Sequence, residues 1–321
     1  MGAAHGLIIR SKIMKIEEYR FPSATGVCEI VGNSYKPDGD VKAVFAIHHG
    51  MAEHQERYRG FIEYLVSNGF AVYMHDMANH GKSNVDFDET GYFGDKDGYK
   101  GLVEDFKTTF EKARNEYPDK KIIVMGHSMG SFIVRCFTAW NNDLDFAGAI
   151  YMGTGGANPI AGVGDKLSAL VAKIKGTKHK SKTLDKMTFG SYGSKTEKRT
   201  AFDWLTKDTE IVDKYIADEY CGFLFSAQGM NDLVKLNIAA NSDEWYSSIK
   251  TDLPIYLVSG EMDPVGEYSK GIRDIYQKLL ASDHKKVTLK LYPNDRHEVL
   301  NETDKEQVMK DITDWVEAEV L

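Results

Sequence analysis

The sequence predicts an α/β protein: a mostly parallel central sheet flanked by helices, with a helical segment inserted in its second half. Three observations carry this. Short apolar runs bounded by Gly, Asp or His alternate with longer amphipathic runs; the alternation lapses between residues 157 and 250; and it resumes to the C-terminus.

Before the first parallel strand, "IEEYRF" and "VCEIVG" read as an antiparallel hairpin at a sheet edge. Then come "VKAVFAIHH" (41–49), "GFAVYMHD" (69–76), "KKIIVMGH" (120–127) and "FAGAIYMG" (146–153), each the kind of continuous apolar stretch that a strand buried on both faces shows. "ERYRGFIEYLVSNG", "GLVEDFKTTFEKARNEY" and "SFIVRCFTAWNN" lie between them, with apolar residues three and four apart as on one helix face. Near the C-terminus "LPIYLVSG" and "KVTLKLYP" read as two more strands, with "EYSKGIRDIYQKLLAS" between them and "EQVMKDITDWVEAEVL" as the closing helix. The expected division is a core of residues 14–156 and 251–321 and a helical cap of residues 157–250. Residues 1–13 would be a leader or a cloning-derived segment, with Met14 a candidate natural start.

Composition narrows the function. A formal charge of -8 over 321 residues gives no basic excess for nucleic acid. Cys28, Cys136 and Cys221 are scattered, with no C-x-x-C pair, which fits reduced thiols and a cytoplasmic location. No signal-peptide core or membrane-spanning run is present, and MGAAHG fails the myristoylation pattern at Gly6. The lysine-rich stretch "DKLSALVAKIKGTKHKSKTLDK" is read first as a solvated helix and loop, and second as a patch for transient contact with a membrane or micelle surface.

The chemistry starts at "GHSMG", between a predicted strand and a predicted helix. A serine on such a sharp turn is pushed out at the sheet's C-terminal edge, and Gly126 and Gly130 relieve the crowding around it. A serine hydroxyl is a poor nucleophile without a base to take its proton and a carboxylate to orient that base. "LVSGEMDPVG" ends a strand at Asp263 and "LKLYPNDRHEVLNE" ends the next at His297, so the chain order Ser128, Asp263, His297 is that of α/β-hydrolases. Glu261 and Asp295 are weaker candidates for the acid, and His284, before its strand, is expected at the opposite edge on the surface. In "AIHHGMAEH" a backbone N–H just after Gly50, that of Met51, joins that of Met129 as the expected oxyanion pair. His48, His49, His54, His75 and His80 have no metal-binding spacing and are read as packing residues; no metal or cofactor is expected. Glu53 and Arg57, four apart at a helix start, suggest an ion pair of modest energy. Asp76 and His80 are expected to tie down their loop.

Together "HGMAEH" with Arg57 and Tyr58, "HDMANHGKS", "GHSMG", "SGEMDPVG" and "DRHE" resemble the monoacylglycerol lipase and lysophospholipase group of α/β-hydrolases, which is classed with the serine aminopeptidases. The resemblance runs from about Glu18 to the C-terminus and departs at Asn79, where the family usually has glycine. It implies Ser128 as nucleophile, Asp263 as acid, His297 as base, Met51 and Met129 as oxyanion donors, and hydrolysis of monoacylglycerols, lysophospholipids or short acyl esters. Phe189, Tyr192, Phe202, Trp204, Leu205, Phe223, Leu224 and Phe225 are expected mostly to pack the cap, with some lining an acyl pocket. The rivals are an aminopeptidase, which needs a cap carboxylate such as Glu210, Asp218 or Glu219, a feruloyl or acetyl esterase, and a small-molecule receptor with vestigial turnover. Oligomeric state is not legible.

Overall fold

The structure, a computed structural model, describes residues 14–321; the expected leader, 1–13, lies outside the described residues. Eight strands, β1 (Lys15–Pro22), β2 (Glu29–Lys36), β3 (Val44–His48), β4 (Ala71–His75), β5 (Ile122–His127), β6 (Gly148–Met152), β7 (Ile255–Gly260) and β8 (Val287–Tyr292), form one sheet in the order β1-β2-β4-β3-β5-β6-β7-β8. β1 and β2 pair antiparallel, as do β2 and β4, and every pairing from β4 to β8 is parallel.

The period of two along each strand divides the core. Val44, Ala46, Ile122 and Val124 face one apolar layer, while Phe45, Ile47, Ile123 and Met125 face the other. Helices α1 (Arg59–Ser67) and α10 (Lys305–Trp315) close the second face. On the first face lie α2 (Gly98–Glu116), α3 (Met129–Trp140) and α9 (Lys270–Ala281). Covering both faces is what makes the β3 to β7 runs uniformly apolar.

Between β6 and β7 the chain forms α4 (Ala161–Lys175), α5 (Lys182–Phe189), α6 (Thr209–Ala217), α7 (Ala227–Ala240) and α8 (Asp243–Ser248), and no strand among the described residues. α7 and α8 pack onto α3: Leu236 and Trp245 are buried in the first-face core, and Trp245 Nε1 donates to the Arg135 carbonyl at 2.7 Å. α4, α5 and α6 lie further out, over the C-terminal edge of the sheet. Cys28, Cys136 and Cys221 are free thiols.

One expectation fails. His284 is buried, not on the surface, because the end of α9 turns back through Asp283 (φ 64°) and brings its Nε2 to the Tyr246 carbonyl at 3.0 Å. A polar residue beside a turn reads as exposed until the helix opposite, here α8, is known.

Candidate active site

β5 ends at His127, and Ser128 follows with φ 54° and ψ −124°, a strained conformation fixed on both sides. Its N–H donates to the Met152 carbonyl at 3.0 Å and its carbonyl accepts the Ser131 N–H at 2.9 Å. A Cβ at Gly126 would fall on the Gly130 carbonyl, and one at Gly130 on the carbonyls of His49 and His48. Both glycines are therefore required by close backbone approach.

The loops after β7 and β8 bring Asp263 and His297 together. His297 Nδ1 lies 3.0 Å from both carboxylate oxygens of Asp263, and both side chains are buried. Asp263 is held by the Val265 N–H at 2.8 Å and the Ser259 hydroxyl at 3.2 Å. Asp295, the rival acid, is instead bonded to Lys207 Nζ at 2.5 Å. The Ser128 hydroxyl makes no hydrogen bond among the described residues, but it borders the same cavity as His297.

The backbone N–H groups expected to form an oxyanion pair have a distinctive setting. The Gly50 N–H is taken by Glu53 Oε1 at 2.6 Å and the Ala52 N–H by His80 Nε2 at 3.2 Å. Between them the Met51 N–H has no protein acceptor among the described residues, and neither has that of Met129 at the start of α3. Asp76 and His80 do tie down their loop: Asp76 accepts the Gln55 and Lys82 N–H groups at 2.8 and 2.9 Å. Asn79 sits at φ 53°, which accounts for a glycine preference there and for asparagine as the substitute that tolerates it.

The Glu53–Arg57 pair is formed at 2.6 Å, but it is buried, not a modest surface pair. Arg57 also clamps Glu298 with two bonds of 2.6 and 2.7 Å, and Glu53 Oε1 further accepts from Tyr58 at 2.8 Å and lies 3.3 Å from His127 Nδ1. Burial pushes the Glu53 carboxyl up, but His127 and Arg57 outweigh it and hold it well below the usual range. Burial pushes His127 down, and the adjoining Glu53 carboxylate reverses this and raises it. Sequence reasoning missed Glu298 and His127 as parts of this network. Their only signal was their place beside His297 and Ser128 in "DRHE" and "GHSMG".

Ser128 and His297, with Glu53, His127 and Glu298, border a cavity of about 1170 Å³. Of the eight aromatic and aliphatic residues expected mostly to pack, all but Phe225 line it; Phe225 packs instead against Phe93 and His80. Trp204 lies 5.1 Å, ring to ring, from His297. The segment before α6 is laced to the loop that carries His297: Glu298 N–H donates to the Leu205 carbonyl at 2.7 Å, and Arg296 to the Asp203 carbonyl at 2.6 Å. Glu210, Asp218 and Glu219 do not line the cavity. Asp218 meets His54 at 2.8 Å; with Cys221 their ligand atoms lie within 4.8 Å of one another, a grouping that the His54–Asp218 hydrogen bond explains.

A family model for the serine aminopeptidases, S33, matches residues 39–304. The chain belongs to that family. It is 28% identical over 306 residues to a monoacylglycerol lipase of Mycolicibacterium smegmatis, covering 93% of this chain and 96% of the relative. To the mouse monoglyceride lipase it is 25% identical over 289 residues, 88% of this chain and 84% of that one. The crystal structure of a highly thermostable carboxyl esterase from Bacillus coagulans, in complex with glycerol, superposes with a TM-score of 0.90 at 27% identity, over 96% of this chain and 100% of that one. The fold of this S33 member is accordingly the α/β-hydrolase fold.

Proposed function

We propose that this protein is a carboxylic ester hydrolase acting on monoacylglycerols through an acyl-enzyme. The observation that carries the reading is the convergence of Ser128 and the Asp263–His297 pair on one end of a cavity lined largely by apolar side chains. His297 Nε2 takes the proton of Ser128 Oγ as that oxygen attacks the ester carbonyl, the Ser128–His297 bond forming as substrate binds. The N–H groups of Met51 and Met129, free of protein acceptors, hold the developing oxyanion. The tetrahedral intermediate expels the alcohol, which leaves with the proton from His297. Water, deprotonated by the same imidazole, then cleaves the acyl–Ser128 bond and releases the fatty acid. Asp263 keeps His297 in the tautomer with its proton on Nδ1.

Residues 157–250 act as the cap in this reading. α4 to α6 roof the acyl chain, while α7 and α8 are moored to α3. On α4, Val163, Leu170 and Ile174 are exposed beside Lys166, Lys173 and Lys175, which favours brief contact with a lipid surface that presents the substrate. Glu210, Asp218 and Glu219 lie outside the cavity, and the esterase reading is preferred over the peptidase on the monoacylglycerol lipase and carboxyl esterase that the chain resembles.

The test is a panel of monoolein, a lysophospholipid, p-nitrophenyl esters of rising chain length, methyl ferulate and an aminoacyl anilide, each with wild type and Ser128→Ala. Monoolein turnover that vanishes in Ser128→Ala is expected. Cleavage of the anilide alone, or equal activity in the two proteins, would overturn the proposal.

A further inference from the structure

His127 differs from the other buried histidines near the site in what its two nitrogens meet. His49 directs Nδ1 at the Gly50 carbonyl at 2.8 Å and accepts the Met77 N–H on Nε2 at 2.8 Å. His80 likewise directs Nδ1 at the Ala78 carbonyl at 2.9 Å and accepts the Ala52 N–H on Nε2. One donor and one acceptor make a neutral ring in each case. His127 instead places Nδ1 3.3 Å from Glu53 Oε1 and Nε2 3.2 Å from the His297 carbonyl oxygen. Both partners can only accept, so only a ring protonated on both nitrogens satisfies them.

We propose that His127 is held as an imidazolium through the working pH range, and that this fixed cation is a positioning residue that anchors the loop carrying His297. The charge balance supports it. The ionisable groups facing His127 are Glu53 on the oxyanion loop, Tyr58 at a ring distance of 6.3 Å, Glu298 and His297 on the loop after β8, with Arg57 between the two glutamates. Two carboxylates against one guanidinium leave one negative charge, which a protonated His127 neutralises in a site where it is only 4% exposed. Its ring centroid lies 4.6 Å from that of His297, and both rings stand close against Gly153, just after β6, where a Cβ would come within 3.1 Å of His297 and 3.2 Å of His127.

The inference rests on His297 being the base, and its test separates the two ideas. Histidine-selective ¹⁵N NMR of the wild-type protein should show both His127 ring nitrogens protonated at pH 7.0 and at pH 8.5. The resonance is assigned by its loss in His127→Gln or, should that variant misfold, by sequential backbone assignment. In folded His127→Gln, which loses the charged donor to the His297 carbonyl, kcat/KM on a soluble ester should fall about tenfold, with the loss in kcat and KM little changed. A neutral His127 at pH 7.0, or a kcat unchanged in folded His127→Gln, would overturn the proposal even with Ser128→Ala inactive. An active Ser128→Ala would bring down the base role of His297, and this consequence with it, whatever charge His127 carries.

Discussion

Replacing Arg57 by methionine keeps most of its volume and removes the charge that three bonds of 2.6–2.7 Å share between Glu53 and Glu298. Both carboxylates are about 4% exposed at the side chain, so neither can turn to water. Breaking a buried ion pair from one side costs about 3–5 kcal/mol, and that is the expected loss at pH 8. The pH dependence gives the reasoning its edge. In the wild type burial pushes both glutamates up, but Arg57 and its neighbours hold them below their unfolded value of 4.5; their contribution is therefore complete above that pH and is lost only as pH falls through the lower folded values. Without Arg57, burial and mutual repulsion lift at least one of them above 4.5. The penalty is then largest at high pH and shrinks by up to about 1.4 kcal/mol per unit as the carboxyl takes a proton. Urea unfolding followed by tryptophan fluorescence at pH 8.0 and 5.5 measures both. A loss under about 1 kcal/mol at pH 8.0, or the same loss at both pH values, would refute the argument. Arg57→Met/Glu298→Gln should recover part of the stability.

Met51→Ala should keep kcat/KM within about threefold, because the backbone makes the expected contact, whereas Gly50→Val should lose about 10²–10³-fold while remaining folded by circular dichroism. The reason is that a Cβ at Gly50 would stand 2.8 Å from Glu53 Oε1 and 3.0 Å from Ser128 Cβ. Equal losses in the two variants would remove Met51 from the oxyanion role. Asp232, pushed up to about 7 by burial, has one carboxylate oxygen on the Tyr99 N–H and one without a partner. Its folded value lies above the unfolded one, so its charge destabilises the fold at high pH. Asp232→Asn should therefore raise the free energy of unfolding at pH 8 by roughly 2–4 kcal/mol, read by urea titration, and the advantage should fade as pH drops below 7.

Much of this architecture is legible in the chain. The eight strands and the helices flanking them announce themselves through period and punctuation, and the turn at Ser128 through two glycines whose missing side chains leave room for backbone. His297 could be preferred to His284 because strand ends fix which edge a loop occupies. What escaped were properties of assembly. The burial of Glu53 and Arg57 depends on Glu298, 241 positions beyond Arg57, and no local pattern distinguishes a surface pair from a buried one. His127 reads as the variable position of a motif until the acceptors on its two sides are known. The lining of the cavity was underestimated because side chains that pack a roof and side chains that face a space beneath it have the same composition.

The lacing of residues 203–207 to the loop that carries His297 has a bearing on how such a protein can change its diet. Alterations at Trp204 or Leu205 meant to admit a different acyl group would also disturb the imidazole, so selectivity and turnover would be traded against each other there. The outer helix α4, whose Val163, Leu170 and Ile174 are exposed, offers a place where presentation of the substrate can drift while the chemistry stays intact.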